Sequence, residues 1–452
     1  MRAFALFAVL LIAAGSDDTA KIERYARSNA VAGETICMAS PLRTFYERRA
    51  WQPAWNDASL AALTRAIEGA DSHGLDPRKY HAAALQSLND TAARDVLASD
   101  AFLRLASNLS RGAVDPEFLR PAWCAEPKID LAAVLQSALD NNNVEATIDK
   151  LAPDDPRYQR LRKELRILRS GTWTQVPPGA DIRKGVRDAW VVEFQKHHGL
   201  AADGVIGRDT LRELNVTAEQ RAEQVKANLE RWRWMPRQLG ERYVIVNIAG
   251  FQLDVFEHGT NVMTMKTVVG KLYHETPFFA AMITDVTINP WWNVPDSIAD
   301  DELWPKQRRD PRYFAREHMV VTNDGRIRQR PGEWNSLGRI KFEMANRFNV
   351  YLHDTPAKSL FNATVRAFSH GCIRIERPLD FARYLLADQP AWSGAAIEST
   401  IVGGENQTVA IKSPVPVYVL YWTAWPAIDG DVEYHRDVYG NDARVIAALS
   451  AK

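Results

Sequence analysis

The spacing of apolar residues changes at Pro236, and that change divides the chain. Upstream, over residues 39–169, Leu60, Leu63 and Ile67, then Leu131, Val134, Leu135 and Leu139, recur every three or four positions, the period of helices that bury one face. Downstream, residues 243–248, 252–256, 263–270 and 281–288 are rich in β-branched side chains that alternate with polar ones, separated by Ala-Gly and His-Gly turns. That pattern predicts antiparallel strands with one buried face. The expected fold is therefore multi-domain α+β: a helical N-terminal scaffold followed by a mainly antiparallel β domain.

Punctuation refines the division. Asp76-Pro77, Asp115-Pro116 and Ala152-Pro153 break residues 38–170 into short helices, and Trp51-Gln52-Pro53-Ala54-Trp55 is expected to pack between them. Pro177-Pro178-Gly179 opens a compact segment, 171–217, read as a three-helix unit stopped by Gly199 and turned at Asp203-Gly204. His197 and His198, adjacent on a helix, point about 100° apart and are expected on the surface rather than around a metal. Residues 218–241 read as a charged linker helix with Val225, Leu229 and Trp232 as its apolar stripe. The β domain occupies 242–405. Within it the regular pattern lapses over 289–329, around Trp291, Trp292 and Trp304, which predicts a capping insertion too long for a hairpin connection. Residues 406–452 are expected to add a pair of strands and a closing helix that pack on this domain.

With 56 basic and 56 acidic residues the net charge is zero, which removes the footprint of a nucleic-acid binder. Arg2, an apolar run to Ala14 and the small residues before Ser16 predict a signal peptide over 1–15, hence an exported, periplasmic, wall-associated protein. Membrane association is expected only through an uncleaved N-terminus, since a dozen apolar residues fall short of the ~20 that span a bilayer. Export gives the three cysteines a context. Cys37 and Cys124 either pair or stay reduced and buried, leaving Cys372 as a thiol an exported protein must have a reason to keep.

That reason lies in Tyr351-Leu352-His353-Asp354 and Ser369-His370-Gly371-Cys372-Ile373-Arg374. A free cysteine titrates near pKa 8.5, so a nearby histidine must take its proton. His353 is the candidate base, Cys372 the candidate nucleophile, and the amides around Gly371 the candidate oxyanion hole. A His/His/Cys zinc site and a purely structural cysteine are the alternatives.

His353, fifteen intervening residues and then Ser369-His370-Gly371-Cys372 resemble the signature of the L,D-transpeptidase catalytic (YkuD) family. Thr276-Pro277-Phe278, Asn289-Pro290-Trp291-Trp292-Asn293-Val294-Pro295 and the run from Pro331 to Phe342 resemble its large multi-domain branch. Phe194-Gln195, Gly199-Leu200, Asp203-Gly204, Gly207 and Thr210 to Leu214 resemble the peptidoglycan-binding domain type 1 family. The resemblance implies a YkuD-like sandwich and an enzyme acting on peptidoglycan tetrapeptide stems as donor and acceptor. Cys372 would form a thioester, and a neighbouring stem's amine would resolve it as a 3–3 cross-link. It further implies that His353 is oriented by the Asp354 backbone carbonyl. His370, Gly371 and Cys372 would supply oxyanion amides, and Ser369 and Arg374 would shape the site; Arg374 stands where the commonest family pattern has Asn. No metal or organic cofactor is implied. Hydrolysis by water, or a non-catalytic wall-binding scaffold, are the competing functions.

Overall fold

The computed structural model describes residues 17–116, 129–427 and 430–451. The signal segment 1–15 and Cys124, with its pairing to Cys37, lie outside the described residues.

The helical part is built around α1 (Thr91–Arg111), which starts where the Asp90 carboxylate accepts the N–H groups of Ala92 and Ala93. Ala93, Ala98, Ala101 and Ala106 keep it thin, so it is buried on nearly every side among the helices Ala39–Arg48, Asp57–Gly69 and Leu131–Asp140. Trp55 donates its indole N–H to Ser99 Oγ at 2.9 Å, and Trp51 packs on the same core. This tract is packing between helices. α2 (Pro156–Arg169) closes the bundle with Tyr158, Leu161 and Leu165 buried.

Residues 171–217 contain two helices, Ala189–His197 and Arg208–Leu214, not three. The lead-in places Gly179 and Gly185 at φ +75° and +90°, with no apolar period to sustain a helix. Buried Gln195 binds the unit together: its Nε2 lies within 3.0 Å of Val205 O and Thr210 Oγ1, and its Oε1 accepts from Gly204 N at 2.8 Å. His198 is not on the surface, for its ring is buried and stacks on Phe194 with Nδ1 2.7 Å from the Phe194 carbonyl.

α3 (Ala218–Arg233) is no exposed linker. From Ala227 to Met235 every residue is buried, charges included, because each charge meets its partner. Arg233 pairs with Glu230, whose other oxygen accepts from Val114 N at 2.7 Å; Arg231 reaches Asp442 at 2.6 Å. Trp232 stacks on Trp422 at 4.7 Å and Trp422 on Trp425 at 4.8 Å, so the C-terminal tryptophans pack against this helix. Glu230→Ala would strand the Arg233 guanidinium in the interior. The expected loss is about 3–5 kcal/mol of stability, read as a lower urea midpoint with unchanged slope.

The β domain is one sheet of β1 (Arg242–Asn247), β2 (Gln252–Glu257), β3 (Thr260–Gly270), β4 (Phe279–Ile288), β5 (Ile340–Met344), β6 (Leu352–His353), β7 (Ala367–Ser369), β8 (Ile373–Ile375) and β9 (Gln407–Leu420). Its order is β7-β3-β8-β6-β5-β4-β9-β1-β2, and β2 also pairs with β3, so the sheet closes on itself. Pairing is mainly antiparallel; β1–β9, β6–β8 and β3–β7 are parallel. Val244, Val246, Phe342, Leu352, Ile373 and Val417 fill the enclosed side, with Phe381 packed against them. Tyr243, Ile245 and Tyr418 turn outward onto the helical core, which is why β1 reads as a continuous apolar run.

Residues after 405 do not simply pack on this sheet. β9 lies inside it, between β4 and β1, and is one long strand bent by a register shift between Ala410 and Val415. Pro414 falls in that irregularity, where a strand tolerates a missing donor. A short hairpin, Ala424–Pro426 with Val432–Tyr434, and the helix Asn441–Ser450 follow. The 289–329 insertion folds as a subdomain: a three-stranded sheet of Trp292–Asn293, Ile327–Gln329 and Met319–Val321, with short helical turns around Val294, Leu303, Phe314 and Ile327.

Candidate active site

β5, β6 and β8 lie side by side, with Lys341 opposite His353 and His353 opposite Arg374. Their inward residues, Phe342, Leu352 and Ile373, are in the core. Period-2 alternation therefore turns Lys341, Tyr351, His353, Cys372 and Arg374 to the other face. Cys372 precedes β8, and the Ile373 amide donates to the Tyr351 carbonyl at 3.1 Å, which holds the thiol beside the end of β6.

His353 is buried, and its Nδ1 lies 2.5 Å from the Asp354 carbonyl oxygen. A carbonyl only accepts, so Nδ1 carries the proton and Nε2 is the basic atom. The Asp354 carboxylate is used elsewhere: it accepts from Arg339 N at 2.8 Å, Thr355 N at 2.7 Å and Lys358 Nζ at 2.5 Å. Burial, then the charge of Arg374, lowers the His353 pKa to about 3. The imidazole is thus neutral across the physiological range.

Cys372 is half-buried, and burial pushes its thiol up, opposed by the neighbouring Tyr351 and by the charges of Lys341 and Arg374. Sγ is 3.9 Å from the Asn349 carbonyl. The resting pair is therefore thiol and neutral imidazole, not an ion pair.

The loop before Cys372 is held from both sides. Ser369 Oγ donates to the Cys372 carbonyl at 2.6 Å and accepts from Gly371 N at 3.1 Å. This corrects one expectation: the Gly371 amide is already engaged by Ser369, which leaves the His370 and Cys372 amides, without a protein acceptor among the described residues, as donors for an oxyanion. Gly371 contributes its backbone instead, at φ +115°, a region other residues avoid. Among the described residues no three His, Cys, Asp or Glu side chains converge on a metal position.

This arrangement suits acyl transfer through sulfur, and the comparison with known families agrees with it. Residues 241–417 match the L,D-transpeptidase catalytic domain. Over that stretch the chain is similar to this family. Residues 40–165 match the Scaffold domain, which covers most of the helical bundle. A Haemophilus influenzae protein assigned by name to the L,D-transpeptidases is 25% identical over 434 residues, 89% of this chain and 78% of that relative. Among solved structures, an L,D-transpeptidase from Mycobacterium smegmatis aligns at 15% identity over 40% of this chain and 58% of its own, with TM-score 0.23. L,D-transpeptidase 3 from Mycobacterium tuberculosis aligns at 14% identity over 40% of this chain and 61% of its own, with TM-score 0.22. The chain thus spans about three fifths of the length of these two structures.

Two residues of the β domain were not among the site residues expected from the sequence: Thr276, named only for its family likeness, and Glu302. Thr276 Oγ1 donates to the Gly371 carbonyl at 2.8 Å and accepts from Gly270 N at 2.9 Å, pinning the nucleophile loop to the end of β3. Its place just before Pro277 was the available signal. Glu302, in the capping insertion, lies with Oε1 2.6 Å from His370 Nε2, so the insertion touches the residue two positions before the thiol. Nothing local to Glu302 announces this, since the two are 68 residues apart.

The site also depends on one glycine outside it. Gly338 has φ +63°, and a Cβ there would fall 2.4 Å from Asp354 Oδ2. Gly338→Ala should push Asp354 aside, and its carbonyl is what fixes the His353 ring. A displacement near 1 Å is expected to slow acylation on the order of 100-fold, measured by mass spectrometry, with binding of the stem peptide changed far less.

Proposed function

We propose that this protein is an exported acyltransferase that forms 3–3 cross-links between peptidoglycan stem peptides through a Cys372 thioester. The observation that supports it is a half-buried Cys372 one strand from a neutral His353 whose Nδ1 proton is committed to the Asp354 carbonyl. In the first step Sγ attacks the carbonyl of the third stem residue while His353 Nε2 takes the thiol proton. The oxyanion is met by the His370 and Cys372 amides, and the terminal D-alanine leaves with the proton returned by His353. In the second step the amine of another stem attacks the thioester, gives its proton to His353, and the released sulfur is reprotonated. Atoms and protons balance in both steps, so the chemistry calls for no metal and no organic cofactor.

In this reading the 171–217 module holds the enzyme on its polymer, and the 289–329 insertion covers the donor while the thioester waits. Incubation with purified tetrapeptide-bearing muropeptide should yield a protein mass increased by the donor less D-alanine, followed by a cross-linked dimer. Release of free tripeptide without dimer would make the protein a hydrolase. No adduct at all would make it a wall-binding scaffold.

A further inference from the structure

Arg374 stands out among the charged groups around the thiol. Its backbone is fixed by register on both sides, opposite His353 in β6 and opposite Val268 in β3. Ile373 and Ile375 beside it point into the core, so the arginine projects on the face that carries Cys372 and His353. The guanidinium has no carboxylate partner among the described residues, and its buried Nε has no hydrogen-bond acceptor. Burial lowers its pKa. Lys341, the other cation on this face, is satisfied: its Nζ is 2.6 Å from Glu343 and 4.1 Å from the centre of the Tyr351 ring.

A desolvated arginine without a partner is costly to keep, and its planar fork fits a carboxylate. We infer that Arg374 binds the free α-carboxylate of the residue that leaves when Cys372 is acylated, so that the donor must end one residue beyond the attacked carbonyl. The inference rests on the acyl-transfer reading above. A carboxylate one residue on lies about 3.8 Å further along the donor chain. Arg374 stands two strand residues, about 6.6 Å, from Cys372, and its long side chain spans the difference. A donor one residue longer would put a neutral amide where the carboxylate belongs, leaving the guanidinium unmatched.

The test compares three stems as acyl donors to the full-length protein: the tetrapeptide, the same peptide with a C-terminal carboxamide, and one amidated instead on the side-chain carboxylate of its third residue. Thioester formation is followed by intact-protein mass spectrometry. The terminal carboxamide is expected to slow the wild type by about 10- to 100-fold, the range of a charge-assisted hydrogen bond, while side-chain amidation has little effect. Arg374→Gln should acylate slowly and equally with acid and terminal amide, and Arg374→Lys should keep part of the discrimination. A mere change in thiol reactivity would alter all donors together and leave their ratio intact. Equal rates in the wild type overturn the inference, whether or not the variants fold. So does a preference that survives in folded Arg374→Gln, or a loss that follows side-chain amidation instead. No adduct with the free tetrapeptide removes the acyl-transfer reading itself, a result distinct from acylation without discrimination.

Discussion

Cys372→Ala is expected to abolish the adduct with a tetrapeptide stem, a loss on the order of 10⁴-fold or more in turnover. In the proposed reaction the sulfur carries the acyl group between donor and acceptor, and no other thiol lies near the site among the described residues. The fold should persist, because the thiol approaches the Asn349 carbonyl only at 3.9 Å and ties no element into the core. The side chain is half-buried and lies outside the packed core, so its removal leaves no core cavity. Unfolding temperature and adduct mass, measured on one preparation, check both halves. An adduct that survives in Cys372→Ala would place the acyl group on another residue and end the thioester mechanism.

His353→Ala should cost about 10²- to 10⁴-fold in acylation, and the wild-type pH profile should show why. The native imidazole pKa is lowered to about 3, so the base is unprotonated, and competent, everywhere above that value. An ordinary histidine with pKa near 6.5 would instead lose activity as pH falls below 6.5. The rate of acylation is therefore expected to stay nearly level from pH 8 down to about pH 5. At the alkaline end, the raised thiol pKa keeps the thiolate a minor species until well past neutrality. A base this weak at rest accepts the proton only as the S–C bond forms. An acidic limb centred near pH 6.5 would contradict the buried, carbonyl-bound histidine described above.

The parts that were legible in the sequence share a property: the cause of each lies within a few residues of its effect. β-branched runs bounded by turns in residues 243–288 foretold β1 to β4, although β1 is buried on both faces rather than one. The two halves of the site were legible because strand β6 and the loop before β8 are separated by a short excursion and carry chemically distinctive side chains. The misreadings come from partners far along the chain. The charges of α3 suggested solvent, yet Arg231 is matched by Asp442, 211 residues later. β9 looked like an appendage because its pairing with β1 is parallel, a connection no local pattern encodes. The module at 171–217 lost a helix where glycines, compatible with many backbones, left the period undefined.

The position of β9 also sets an order of events. Its partners β4 and β1 are complete some 120 and 160 residues earlier in the chain, yet neither is covered until Gln407–Leu420 inserts between them. Before that moment the domain offers two unsatisfied strand edges, the kind of surface that recruits other chains. The helical bundle, whose contacts are local, can form first as the chain emerges, while the sheet waits for its penultimate segment. A polypeptide cut short before residue 407 would hold both catalytic side chains and still lack the closed sheet that aligns them. Completion of the site is in this sense a proofreading of full-length synthesis: the aligned Cys372 and His353 arrive only with the strand that arrives nearly last.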